Sequence, residues 1–348
     1  MAKKVNLFRL TEKKIAVIGA GSWGTAISIL LAKKGFVVSL WARDEKFACE
    51  AQSKRSNPRY LPNVIFPENL DVSFKMDDVV KGAEVIALVV PSHGMREVVK
   101  KLKSFLKDQI IISLAKGIEV DTLMRMSEVI ASELPEKFFE KIAVISGPNH
   151  AEEVSLEIPS TTVVSAHKKE VALKVQNMFM TPYFRVYTNP DIIGVEVGGA
   201  TKNIIALATG MSDGLGYGDN TRASLMTRGL AEMTRLGLNM GAQSSTFAGL
   251  SGMGDLIATC TSRHSRNRNT GEKIAKGMTL EEVTAETKMV AEGTKTTKAV
   301  YRLAEKRCID MPITRAVYQV LYENKRPLNC VSDLMMRGAK DELKAFGY

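Results

Sequence analysis

Ile15-Ala16-Val17-Ile18-Gly19-Ala20-Gly21-Ser22-Trp23-Gly24-Thr25-Ala26 decides the reading of this chain. Four apolar residues suit a strand buried on both faces of a parallel sheet. Beyond Gly24, Ile27, Leu30 and Leu31 share one helical face, and Gly35 stops the helix. Val37 to Trp41 supply a second strand. The pattern G-x-G-x-x-G therefore sits inside a βαβ unit, the context a dinucleotide fingerprint requires. Gly19 makes the turn, Gly21 lets the backbone approach a pyrophosphate, and Gly24 allows close helix–strand packing. The helix start offers unpaired N–H groups to the phosphates.

Working outward, residues 1–14 read as a polar lead-in, and 57–63 as a turn-rich loop. A short helix is expected within 77–82. Apolar strands are expected at 85–90, 110–114 and 142–145, with helices after the first two at 98–106 and 121–134. Two later strands, 161–165 and 184–187, flank another helix. This alternation predicts an α/β doubly wound parallel sheet. Asn189-Pro190 marks a boundary, because strand-like runs then disappear and helical segments follow. The expected division is 1–189, a dinucleotide-binding domain, and 190–348, a mostly helical substrate and catalytic domain.

The 348 residues are 45% hydrophobic, as in an ordinary globular protein, and suffice for two domains. No apolar run is expected to reach the ~20 residues of a membrane span, and the start lacks the apolar core of a secretory signal. Cys49, Cys260, Cys308 and Cys330 are scattered, which fits reduced thiols in a cytoplasm. The histidines show no metal-ligand spacing, so no metal is expected. A net charge of +10 favours anionic partners, either phosphorylated small molecules or nucleic acid. Only residues 263–268 concentrate basic charge, without interleaved aromatics, so nucleic acid has little support.

The strands at 85–90, 110–114 and 142–145 end in Pro91-Ser92-His93, Ala115-Lys116-Gly117 and Ser146-Gly147-Pro148. In an open parallel sheet such ends line the ligand crevice. Lys116, between Ala and Gly, is badly placed for solvent. Its alternatives are ligand binding and a structural salt bridge. From Asp191 runs an apolar, small-residue helix with a single cation, Lys202, at its middle. Burial lowers a lysine pKa toward working pH, which suits a general acid for a ketone oxygen; the alternative places it on the helix's wet face. Residues 249–255 read as a flexible turn presenting Asp255, able to pair with Lys202 or to orient substrate hydroxyls. Residues 259–269 mix hydroxyls, amides and arginines, a composition suited to phosphate oxygens. Cys260 lacks an identifiable base partner for nucleophilic work.

These residues carry a resemblance. GAGSWGTA from Gly19, VVPSH from Val89, AKGIE from Ala115, ISGPNHAEEV from Ile145, GLSGMGDLIATCTSRHSRNR from Gly249 and MPIT from Met311 match one pattern. So does the long block from Phe184 that ends in TRGLAEM. The chain resembles the bacterial NAD(P)-dependent glycerol-3-phosphate dehydrogenases over nearly its whole length. The resemblance implies a Rossmann-type domain followed by a helical, 6-phosphogluconate-dehydrogenase-like domain, in a cytoplasmic homodimer. It implies reversible reduction of dihydroxyacetone phosphate to sn-glycerol 3-phosphate for phospholipid synthesis. Cofactor contacts implied by it are Ser22, Trp23, Lys116, Ala151, Arg266, Val290 and Glu292. The implied substrate contacts are Lys116, Gly147, Asn149, Lys202, Asp255, Ser265, Arg266 and Asn267, with Lys202 as proton donor and acceptor. Asn149-His150 stands where Thr or Ser then Phe is frequent, and Thr201 precedes the lysine where an aliphatic residue is usual.

The acid that grips an NAD ribose lies about 20 residues after the fingerprint. Counting from Gly24 lands on Asp44. Strand two is expected to end at Trp41, however, which brings Arg43 nearer the ribose. An arginine there suits the additional phosphate of NADP, so NADPH is favoured and NADH stays open. The wider hydroxyacid dehydrogenases share the two-domain plan but carry a Lys-x-x-x-Asn spacing, whereas Asn203 follows Lys202 directly. A nucleotide-sugar dehydrogenase needs a Gly-x-Cys context that Thr259-Cys260-Thr261 does not supply.

Overall fold

The structure, a computed structural model, describes residues 11–286, 291–339 and 341–342. Ten strands fall in the first part of the chain: β1 Thr11–Ile18, β2 Phe36–Trp41, β3 Ser56–Asn57, β4 Leu61–Ile65, β5 Leu70–Ser73, β6 Ala83–Leu88, β7 Ile110–Ser113, β8 Ile142–Ser146, β9 Ser160–Ala166 and β10 Phe184–Thr188. The helices among them are α1 Ser22–Lys33, α2 Glu45–Lys54, α3 Met76–Val80, α4 Met95–Leu102, α5 Met126–Glu133, α6 Ala151–Ser155 and α7 Lys169–Phe179. Eight strands form one sheet in the order β10-β9-β8-β7-β6-β1-β2-β5, while β3 and β4 form a separate hairpin. Alternate residues of β1 feed two cores: Ile15 and Val17 pack on one face, Ala16 and Ile18 on the other. This two-sided burial explains the unbroken apolar run.

The sheet departs from the expected uniformly parallel one at β9, which pairs antiparallel with β8 and parallel with β10. The β8–β9 connection holds only the short α6, not a full crossover helix, and turns back through Glu157 at φ +60. Two boundaries also move. β1 begins at Thr11, inside the expected lead-in, because Thr11 already pairs with Phe36 of β2, and Lys14 ties the strand to the carbonyls of Asp78 (2.8 Å) and Lys81 (2.9 Å). The helix expected over 121–134 starts only at Met126. Before it, Ile118 bridges to Arg125 and Leu123 takes φ +62, so residues 118–125 form a closed loop.

After Thr188 every regular element among the described residues is helical: α8 Ile192–Gly214, α9 Asp219–Asn239, α10 Ser244–Phe247, α11 Asp255–Thr261, α12 Arg266–Ala275, α13 Leu280–Glu286, α14 Glu292–Lys306, α15 Pro312–Tyr322 and α16 Pro327–Met335. Leu250–Gly254 is a π-helical turn leading straight into α11, rather than the flexible turn expected there. α8 is the axis of this part, buried along most of its length. At 23 residues it is long and apolar enough to cross a membrane, which corrects the expectation that no run reaches that length. Of its most apolar 18-residue stretch, 94% is buried inside the protein, as in a core helix. Asp191 caps its start, accepting from Gly194 N (2.8 Å), Gln243 N (2.8 Å) and the Thr246 hydroxyl (2.7 Å).

Candidate active site

The glycine turn connects β1 to α1. Gly19 has φ +120, and a Cβ there would lie 2.7 Å from the Val89 carbonyl oxygen. A Cβ at Gly24 would lie 1.8 Å from the Gly19 oxygen. These two glycines let strand, turn and helix close on one another. Gly21 differs: a Cβ there would meet nothing within 4 Å. Gly21 is also the N-cap of α1, with no side chain covering the helix start. An open face beside exposed N–H groups fits a pyrophosphate. Ser22 is buried and Trp23 half-buried at the first turn. Asn57, fully buried, braces the turn from the β3–β4 hairpin, donating to Ala20 O (3.0 Å) and Thr25 Oγ1 (2.7 Å).

At the end of β2, Asp44 spends its carboxylate as the N-cap of α2, accepting from Phe47 N at 2.7 Å. Arg43 is exposed beside it. Burial together with the charges of Lys295 and Arg43 holds His93 below the ordinary histidine range. Lys295, which the sequence reading passed over, therefore shares this cationic rim with Arg43.

A buried cluster of charged side chains lies where α8 crosses the ends of β7 and β8. The crossing depends on small residues. A Cβ at Gly199 would lie 2.3 Å from Ser146 Oγ and 3.6 Å from Lys116 Cγ, and one at Gly198 would lie 2.6 Å from Ser251 O. Lys202, one turn further, is 6% exposed. Its Nζ lies 2.9 Å from Asp255 Oδ1 and donates to Thr259 Oγ1 at 2.6 Å. The wet-face alternative is thus overturned. Lys116 Nζ donates to Asp255 Oδ2 (2.6 Å) and to Gly147 O (2.8 Å). Asp255, 2% exposed, bridges both ammonium groups. So Lys116 makes a salt bridge, and the salt bridge is part of the same cluster.

Burial lowers Lys202 to about 8, with Lys116 adding to the effect and Asp255 opposing it. Burial alone raises Asp255, but Lys116 and Lys202 outweigh it and hold the carboxylate below its usual range. Cys260, beside this cluster, is pushed up to about 12 by burial and stays a thiol.

The other site residues differ in exposure and in the partners they hold. Arg266 is exposed at the start of α12. Ser265 caps that helix, accepting from Arg268 N at 3.3 Å. Asn267 is 8% exposed; it donates to Asn203 Oδ1 (2.8 Å) and accepts from Gly293 N (2.9 Å). Asn149 donates to the carbonyls of Pro148 (2.9 Å) and Thr161 (2.8 Å), pinning its loop to β9. Gly147 gives its carbonyl to Lys116, and Ala151 is buried at the start of α6. Glu292 accepts from Ser92 N (3.2 Å) and Ser92 Oγ (2.5 Å), joining the first residue of α14 to the end of β6. Burial raises its carboxyl, against the hydrogen bonds from Ser92 and the charges of Arg266 and Lys295. Val290 lies outside the described residues. Thr259, read in sequence only as part of the 259–269 segment suited to phosphate, instead accepts from Lys202 and donates to the Asp255 carbonyl (2.7 Å): its spacing of four from Asp255 puts both on one helical face.

Comparison with known proteins agrees with this geometry. Residues 14–172 match the model of the NAD-dependent glycerol-3-phosphate dehydrogenase N-terminus, and residues 191–332 that of its C-terminus. A glycerol-3-phosphate dehydrogenase [NAD(P)+] of Clostridium tetani is 50% identical over 96% of this chain and 95% of its own. That of Clostridium perfringens is 52% identical over 94% of this chain and 99% of its own. The crystal structure of glycerol-3-phosphate dehydrogenase from Coxiella burnetii superposes with a TM-score of 0.90 at 38% identity, covering 94% of this chain and 99% of the other. A glycine turn open to a pyrophosphate, a lysine–aspartate–lysine cluster at the strand ends and these two matches together place the chain in the NAD-dependent glycerol-3-phosphate dehydrogenase family.

Proposed function

We propose that this oxidoreductase reversibly reduces dihydroxyacetone phosphate to sn-glycerol 3-phosphate, with Lys202 as the general acid and base. The observation that carries the reading is Asp255 held between the ammonium groups of Lys116 and Lys202. NAD(P)H would be held by the Gly19–Gly24 turn with Ser22 and Trp23, and by Arg43, Lys116, Ala151, Arg266, Val290 and Glu292. When bound it supplies the hydride for the carbonyl carbon.

The chain's own contribution follows from charge and position. Lys202 donates its proton to the oxygen that becomes an alkoxide, and its amine takes the proton back in the oxidation direction. Asp255 orients the Lys202 ammonium and favours its charged form. Lys116 sets a second cation beside the developing negative charge. Arg266, Ser265 and Asn267 form the phosphate end, with Arg266 as the exposed cation there. Gly147 and Asn149 shape the wall opposite. NADPH is the favoured cofactor: the Asp44 carboxylate is engaged as a helix cap, while Arg43 and Lys295 offer cations at the same rim. Arg43→Asp is expected to raise the NADPH dissociation constant at least tenfold and leave that of NADH within about threefold. Equal effects on the two would remove the assignment.

The separate cores of sheet and helices support a division into 1–189 and 190–348. The resemblance supports a homodimer whose product enters phospholipid synthesis, and the free cysteines suit a reducing cytoplasm. The test of the reaction is consumption of NADPH and NADH with dihydroxyacetone phosphate, set beside a panel of 2-oxo acids. Turnover confined to the phosphorylated ketone supports it; turnover of the oxo acids alone moves the substrate to the wider hydroxyacid group.

A further inference from the structure

Lys116 and Lys202 stand on opposite sides of Asp255, one on a loop after β7 and the other on α8. Their separation depends on how α8 sits against that loop. The contact at Gly199 prevents closer approach, but a steric stop alone fixes neither the rotation nor the sliding of a helix.

One buried polar cluster does fix them. Glu196 lies one turn before Gly199 on α8, and so on the same face. Its Oε2 accepts from Arg125 Nη1 at 2.5 Å and from Ser127 Oγ at 2.6 Å. Its Oε1 accepts from Ser127 N at 2.7 Å. Glu196, Arg125 and Ser127 are 9%, 7% and 3% exposed. Arg125 closes the loop that begins just after Lys116: it bridges Ile118, and Glu119 N donates to Met124 O at 2.9 Å within that loop. Arg96 holds the loop from outside through both oxygens of Glu119, at 2.9 and 2.6 Å. Ile118 itself packs into the core that surrounds α8.

We infer that Glu196, Arg125 and Ser127 are positioning residues for the reaction, locking α8 to the Lys116 loop so that both lysines reach Asp255 together. This deepens the dehydrogenase reading and rests on it. The lock touches neither the glycine turn nor the reacting groups. A bidentate carboxylate held by a guanidinium, a hydroxyl and a backbone N–H resists both rotation and sliding. A shift of about 1 Å at a catalytic group suffices for a large loss of rate.

The test compares the wild type with Glu196→Gln and Arg125→Lys. Four quantities are read: kcat and KM for dihydroxyacetone phosphate, the pH profile of kcat, the NADPH dissociation constant, and Tm. Positioning predicts that Glu196→Gln lowers kcat tenfold or more while the NADPH dissociation constant stays within twofold. A loosened α8 admits water beside Lys202, so the alkaline limb of the profile moves upward from about pH 8. Arg125→Lys, which keeps the charge but not the planar fork, is expected to lower kcat measurably, though by less than Glu196→Gln does. A lower Tm with unchanged kcat and pH profile in Glu196→Gln would overturn the inference. If that variant does not fold, unchanged kcat and profile in Arg125→Lys would overturn it instead.

A wild type without dihydroxyacetone phosphate turnover refutes the dehydrogenase reading, which is a separate result. The positioning claim is then read from the pH dependence of Lys202 labelling by an amine reagent, followed by mass spectrometry. A higher midpoint in Glu196→Gln supports the lock, and an unchanged midpoint overturns it.

Discussion

At the scale of single residues, a carboxylate between two lysines defines the centre. Lys202 is drawn down to about 8 by burial, and Asp255 counters part of that. In the proposed mechanism reduction needs the ammonium, so its rate is expected to fall as pH rises through about 8. Oxidation needs the amine, so its rate is expected to rise through the same value. Asp255→Asn removes the anion and leaves Lys116 and Lys202 facing each other unscreened. We expect the alkaline limb for reduction to move at least one pH unit lower, with a loss of rate at neutral pH; an unmoved limb would show that Asp255 does not set the Lys202 charge. Asp44 offers a second check. Asp44→Ala removes a helix cap worth about 1 kcal/mol and should leave the preference between NADPH and NADH unchanged. Each of these residues was legible in sequence by its neighbours: Lys202 by the apolar helix around it, Lys116 by its place after a buried strand. The Lys202–Asp255 pair was one of the alternatives the sequence offered, but the other partners were not legible. Lys116 and Asp255 lie 139 positions apart, and Lys202 and Thr259 lie 57 apart, so only the fold joins them.

At the scale of elements, α8 organises the second half. α12 lies directly against it, backbone on backbone. A Cβ at Gly210 would lie 1.9 Å from the Arg268 oxygen, and one at Gly271 would lie 2.1 Å from the Leu207 oxygen. This contact sets the start of α12, and hence Ser265 and Arg266, at a fixed height relative to Lys202. Asp213, near the end of α8, adds a polar tie by accepting from Arg268 Nε at 2.7 Å. Gly271→Ala forces the helices apart, and we expect a loss of about 1–3 kcal/mol in denaturant unfolding. A rise in the KM for dihydroxyacetone phosphate should accompany it. Unchanged stability would mean that the crossing relaxes freely. β1, β2 and β6 to β10 were readable because short apolar runs bounded by turns have few alternatives, whereas β3 to β5 lack such runs and were missed, β3 and β4 overlapping the expected 57–63 loop. The late start of α5 was hidden, because residues 121–125 continue a helical pattern that the loop closure at Arg125 overrides. The reversal at β9 also escaped, since a short strand-forming run such as Thr161 to Ser165 says nothing of strand direction.

At the scale of the whole molecule, buried charges make stability depend on pH. Glu232 on α9 caps the start of α15, accepting from Ile313 N (2.6 Å), Thr314 N (3.1 Å) and Thr314 Oγ1 (3.0 Å). Burial nonetheless pushes it up to about 7, above its unfolded value near 4.5. Between those values the folded protein binds the proton more tightly, so this contribution is complete below about 4.5 and lost as pH rises through 7. A shift of that size corresponds to about 3 kcal/mol. Chemical denaturation of the wild type and Glu232→Gln from pH 5 to 8 should show the variant losing less stability across the window; parallel curves would place Glu232 outside the balance. The two-part plan was legible because strand-like runs stop near Asn189, but the bridging of both lysines by one carboxylate was not. That meeting is tested most directly by NADPH oxidation with dihydroxyacetone phosphate in the wild type and Lys202→Ala, with NADPH binding followed by its fluorescence. We expect the variant to bind NADPH as the wild type does and to lose about 10²- to 10⁴-fold in kcat. A variant that turns over at the wild-type rate would contradict the assignment of Lys202 as the proton donor.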